Sequence, residues 1–344
     1  YSKYTFLDNI LRGGFPVNID TPKDRFLFYA YARKHGDLER DYNAFLLEPS
    51  YYSQGNGAYR DINQNRRNDT LLNPGIADAN IFTFLNAIQP DGFNPHLIEG
   101  IVLYIADKKA LETVLKDNIK NIIERNKVRT FLLKNFTLGS FVTYIENEKI
   151  AVKKNTDELL KSVLTVSAKE DVVNPGEGYW VDHWTYNIDL FENYLACYPE
   201  RLKSLLLDRR FTFYDTYLKV NPRSEKYVYQ DGKIRQLGSV AEDKEKKRFI
   251  AERKCEQHKV RTKQGKGDVY KTSLLVKLLC IVANKMASLD PFGMGIEMEA
   301  GKPGWCDSLN NLPGIFGSSL CEAFELKRLI LFIKSSLHKL DVGG

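Results

Sequence analysis

Apolar positions along the chain recur mainly at helical spacing. Leu111, Val114, Leu115, Ile119, Ile122 and Ile123 recur at gaps of one, three or four residues. That spacing gathers them on one face and predicts an amphipathic helix from Leu111 to Phe136. Ile81, Phe82, Phe84, Leu85 and Ile88 predict a second helix, with Asp78 as its N-cap and Pro90 and Gly92 ending it. Further helices are predicted over 188–197 and 272–289. Ser319 and Glu322 have capping-box spacing ahead of Phe324, Leu326, Leu329 and Leu331. Strand alternation is weak, with one hairpin expected over 227–237 around Gln230-Asp231-Gly232. The pattern predicts an all-α scaffold.

Three long stretches break the helical pattern: 51–74, 173–187 and 290–317, all rich in Gly, Asn, Asp, Pro and aromatic residues. Long connections of this kind are uncommon in compact domains and often carry function. The whole chain of 344 residues is 43% hydrophobic and 27% charged. A sizeable core is therefore available, and wholesale disorder is excluded.

The net charge is +6, and residues 241–272 hold eleven Lys or Arg against six Asp or Glu. No aromatic or motif support accompanies these cations, so the segment reads as a solvated face and no nucleic-acid partner is expected. The five cysteines (Cys197, Cys255, Cys280, Cys306 and Cys321) form no Cys-x-x-Cys pair. A reducing, cytoplasmic compartment is expected, with no zinc site or disulfide framework. The apolar run from Leu274 to Val282 is interrupted by Lys277 and that from Leu329 to Ile333 is short, so no membrane association is expected.

The first stretch contains Arg60, Asp61, Gln64 and Asn65 beside Gly55 and Gly57. Such a mixture of donors and acceptors suits sugar hydroxyls, which both donate and accept; a solvated polar loop has the same composition. The second stretch sets Asp182 and His183 among Tyr179, Trp180, Trp184 and Tyr186. These aromatics could face a sugar ring or fill the core, and the His spacing disfavours a metal site. The third stretch carries Trp305, Cys306, Asp307 and Asn310 in a Gly/Pro-shaped context. A carboxyl beside an indole can be desolvated enough to stay protonated near neutral pH, as a general acid for glycosidic cleavage must. Cys306 has no evident His partner and reads as a buried small residue.

In order, these elements resemble the inverting cellobiose and chitobiose phosphorylase family. The likeness lies in Arg-Asp-x-x-Gln (Arg60, Asp61, Gln64), an acidic element ending in Trp (Asp182, His183, Trp184), and Trp-x-Asp followed by Leu and Asn (Trp305, Asp307, Leu309, Asn310). Cys306 stands where the family has Asn, and Asn65 where an Asp often follows the Gln. The resemblance implies an (α/α)6 toroid, or a large part of one, with residues 200–272 as an insertion. It implies Asp307 as the general acid, with Trp305, Arg60 and Asp61 lining the subsite of the transferred sugar. It further implies inorganic phosphate as nucleophile and no other cofactor.

The expected activity is phosphorolysis of β-linked glucosides or oligoglucans with inversion, and the expected partner is an oligosaccharide or disaccharide. An inverting hydrolase is the alternative enzyme, with Glu297, Glu299 or Asp182 as candidate base. A non-catalytic carbohydrate-binding segment is the third reading. Because Tyr1 replaces an initiator Met and 37 residues follow Asp307, the chain is expected to belong to a longer polypeptide or a homo-oligomer.

Overall fold

The structure is a computed structural model that describes residues 2–3, 14–22, 24–29, 52, 57–177, 181–236, 240–253, 256–297 and 318–340. It divides into two compact units. The first comprises Tyr1–Ala79 and Ile98–Val173, the second Asn80–Leu97 and Asn174–Gly344.

The early elements are β1 (Pro16–Asp20), β2 (Arg25–Tyr29), β3 (Gly57–Ala58), α1 (Tyr59–Arg66), α2 (Asp69–Leu72), α3 (Ala79–Asn86) and β4 (Asn94–Ile105). There follow α4 (Lys108–Asn118), α5 (Ile122–Leu132), α6 (Leu138–Asn147), α7 (Thr156–Val166) and β5 (Ser167–Glu177). Then come α8 (Val181–Cys197), α9 (Leu202–Leu207), β6 (Leu218–Val220), β7 (Tyr227–Gln230), β8 (Lys233–Gln236) and β9 (Val240–Glu242). The last are α10 (Lys244–Ala251), α11 (Leu274–Met286), β10 (Ile296–Glu297), β11 (Ser318–Ser319) and α12 (Leu320–Lys339).

The expected all-α toroid is thereby corrected: the described residues are 51% helical and 21% strand, a mixed α/β architecture with several small sheets. β4 is rich in β-branched residues (Ile98, Ile101, Val102, Ile105), which pack well on a pleated surface. It lies between β3 and β5 in a three-stranded sheet. β5 reads Ser-Ala-Lys-Glu-Asp-Val-Val and has no apolar alternation, so backbone pairing with β4 makes it a strand where periodicity gives no signal.

In the first unit, β1 and β2 pair antiparallel with Pro16 opposite Tyr29 and Asp20 opposite Arg25. Ile19, Phe26 and Phe28 from this hairpin join Leu103 and Ile105 of β4 in one buried cluster with the apolar faces of α4 to α7. The single helix expected from Leu111 to Phe136 is two helices. Asn121 caps α5 by accepting the Ile123 N–H at 2.8 Å, and Ile119 leaves the helix to bridge Val152. A short polar side chain that can hydrogen-bond nearby backbone competes with helix continuation, and here it prevails.

In the second unit, α8, α11 and α12 pack together. A buried Lys285–Glu322 ion pair at 3.4 Å joins α11 to α12. Arg328 reaches from α12 to Asp189 at 2.8 Å and Glu192 at 2.7 Å on α8. Ser319 accepts the Glu322 N–H at 3.2 Å, as the capping spacing predicts, while the Glu322 carboxylate turns to Lys285. The expected hairpin is present as β7–β8. Asp231 and Gly232 both have positive φ, 50° and 72°, which is the twist a two-residue turn needs to match its strands. Among the described residues, no helix is long and apolar enough to cross a membrane.

Candidate functional site

The 51–74 stretch, expected as a polar loop, contains a helix. β3 delivers the chain into α1, whose buried face is Tyr59, Ile62, Asn63 and Arg66. Arg66 lies 4.1 Å over the Tyr29 ring, which sets α1 against β2, and the Tyr29 hydroxyl donates to Asp69 of α2 at 2.9 Å. Asp61 sits in the first turn, where a carboxylate meets the positive end of the helix dipole.

With that face buried, a repeat of 3.6 residues places Arg60, Gln64 and Asp61 together on the opposite side. Arg60 Nε stands 3.1 Å from Asp61 Oδ1, with the two side chains 28% and 15% exposed. Asn65, one position beyond, donates its amide to the Asp61 carbonyl at 3.0 Å, so it braces the helix backbone. The Arg-Asp-x-x-Gln element is thus one small polar patch on α1.

The second element lies in the other unit. His183 and Trp184 fall on α8 and are 0% and 1% exposed. His183 Nδ1 and the Asn94 side-chain nitrogen lie 2.6 Å apart, a buried hydrogen bond between α8 and the start of β4. The Lys285 ammonium stands 5.7 Å from the Trp184 ring centroid, beside the buried Lys285–Glu322 pair. As placed, both side chains belong to the interior of the second unit. Asp182 lies on α8, and its side chain is outside the described residues. Trp305, Asp307 and Asn310, with Cys306 and Glu299, also lie outside them. Glu297, on β10, accepts a hydrogen bond from the Tyr227 hydroxyl.

Buried ionisable groups were missed, among them Lys277 and Asp215. Lys277 is fully buried on α11, its ammonium donating to the Thr212 carbonyl at 2.6 Å and the Ile88 carbonyl at 3.2 Å. It also stands 3.7 Å from the Phe213 ring centroid. Burial pushes its pKa well below the usual lysine value. The signal was visible as a lone Lys in an apolar run. Asp215 is held by Arg253 at 2.8 Å and Lys246 at 2.7 Å. This cluster gives part of the basic segment a structural task in place of a purely solvated one. Among the described residues, no group of three or more His, Cys, Asp or Glu is arranged to hold a metal.

No protein-family model matches the chain, and no curated protein matches it.

Proposed function

We propose that the chain is an inverting glycoside phosphorylase acting on β-linked glucosides or oligoglucans. The observation that carries this reading is the Arg60–Asp61–Gln64 patch. Arg60 and Asp61, adjacent in the sequence, share the side of α1 away from its buried face with Gln64, and the Arg–Asp pair stands at 3.1 Å. A sugar ring offers adjacent hydroxyls that each donate and accept. Asp61 accepts from them, Arg60 donates to them, and Gln64 does both. Holding the pair before the ligand arrives lowers the ordering cost of binding.

The chemistry rests on the Trp305-Cys306-Asp307 sequence. Asp307, as general acid, gives its proton to the departing glycosidic oxygen as that carbon–oxygen bond breaks. A phosphate oxygen forms the new bond to the anomeric carbon from the opposite face. The products are a sugar 1-phosphate of inverted configuration and a shortened acceptor. Phosphate as nucleophile removes the need for a second catalytic carboxylate, which a hydrolase would require to activate water. The reading depends on these residues and not on a fold, because one fold hosts many activities.

The test is product analysis on a panel of β-glucans and β-glucosides, with and without inorganic phosphate, for the native protein and Asp61→Asn. Sugar 1-phosphate formed only with phosphate is the expected result, with Asp61→Asn raising KM as hydroxyl contacts weaken. Free sugar released at equal rates with and without phosphate would instead establish a hydrolase. Binding without turnover would leave a carbohydrate-binding segment.

A further inference from the structure

Helix α11 is apolar nearly all round. Leu274, Leu278 and Ile281 face inward and are buried. Outward it presents Val276, Leu279, Ala283 and Met286, all exposed. Their spacings of three, four and three residues are those of heptad a and d positions, the seam along which one helix receives another. No charged side chain interrupts this seam. A helix apolar on every side is normally covered on every side.

Beside the seam lies a groove of about 630 Å³, walled by Leu279 and Val282 of α11 and by Ile330, Ile333 and Leu337 of α12. Lys334 and His338 complete its lining. Helical geometry puts Lys327 on the same flank of α12 as Lys334. The exposed charged side chains of α12 are cationic, namely Lys327, Lys334 and Lys339 with His338 beside them. The acids of this helix are engaged elsewhere: Glu322 is buried against Lys285, and Glu325 turns to Arg328 at 3.8 Å.

We infer that this groove docks one amphipathic α-helix from another protein, apolar along a heptad seam and acidic along the flank that meets Lys327 and Lys334. Three features select that occupant. The seam spacing matches a helix, since a bilayer surface asks for no particular register. The groove is concave between two helices, which suits a cylinder in preference to a membrane plane. The flank is cationic, so docking a second copy through α12 would set lysines against lysines. The carbohydrate reading of α1 is independent of this surface, which lies wholly in the second unit.

The test uses a fluorescein-labelled synthetic helix of about three heptads with Leu at a and d and Glu at e and g. A control peptide carries Lys at e and g, and a second control is a phosphatidylcholine–phosphatidylserine vesicle. Fluorescence anisotropy with the full chain is expected to show saturable binding of the Glu peptide, at least about tenfold tighter than the Lys peptide. Leu279→Glu should weaken the Glu peptide by about tenfold or more, and Lys334→Glu should shift preference toward the Lys peptide. Both positions are solvent-exposed, and matched thermal melts establish that the variants fold. The inference is overturned by equal affinity for the two peptides, by no binding of the Glu peptide, or by preferential binding to the vesicles. A dimer in light scattering that Leu279→Glu dissolves also overturns it, because a second copy then fills the groove.

Discussion

At the scale of single residues, burial and one partner decide what each ionisable group does. Tyr52 packs edge-on against Phe28, with ring centroids 5.8 Å apart, and donates its hydroxyl to Asp157 at 3.0 Å. Desolvation, then the hydrogen bond to that carboxylate, pushes its pKa up to about 12 from 10.0. The folded chain therefore keeps this proton longer than the unfolded chain does. The Tyr52 contribution to stability is complete below pH 10 and is lost as pH rises toward about 12. Urea midpoints measured across that window should fall more steeply for the native protein than for Tyr52→Phe. Parallel curves would contradict the assignment. Lys277 acts in the opposite sense: its folded-state pKa is lowered by burial, so the unfolded chain takes up the proton first as pH falls below 10.5. Its presence in an apolar run was legible, but its environment was not. Its two acceptor carbonyls lie 65 and 189 positions away in the chain, a pairing that no local pattern encodes.

At the scale of elements, end signals were more legible than interiors. Helix α11 begins after Ser273, within two residues of the expected start, because its hydroxyl accepts the Val276 N–H. The Asp231–Gly232 turn was readable since few residue pairs tolerate two successive positive φ values. The helix over 181–197 starts seven residues ahead of the expected 188, because aromatic and polar residues between Val181 and Asn187 mask its apolar face. Thr137 and Ser140 show what a helix end contributes. They form a reciprocal capping box on α6, each side chain meeting the other's backbone N–H at 3.1 Å. Thr137→Ala removes the side-chain acceptor of the Ser140 N–H, so it should cost about 1 kcal/mol, within a range of roughly 0.5–2. A urea titration measures this, and an unchanged midpoint would show that water replaces the box at no cost.

At the scale of the whole molecule, several helices and one hairpin were foreseen and the other sheets were not. Strands such as β5 carry no period-two apolar pattern, and their identity depends on a partner distant in sequence. The candidate site divides in the same way. Arg60, Asp61 and Gln64 were singled out by residue type, but the helix that carries them was expected as a polar loop, because only Tyr59 and Ile62 give its buried face apolar positions. For His183 and Trp184 the sequence left both readings open, since an aromatic-rich stretch looks alike whether it lines a cleft or fills an interior. The functional reading therefore stands on the polar patch of α1 together with the Trp305–Asp307 sequence, and its central claim is that Asp307 delivers the proton to the departing oxygen. The direct measurement is turnover of Asp307→Asn on a natural β-glucoside and on a glycosyl fluoride, each with phosphate. Fluoride departs with little protonation, so the account predicts a loss of about a hundred- to ten-thousandfold on the glucoside and partial rescue on the fluoride, with substrate affinity largely kept. Near-native turnover of Asp307→Asn on the glucoside would contradict it.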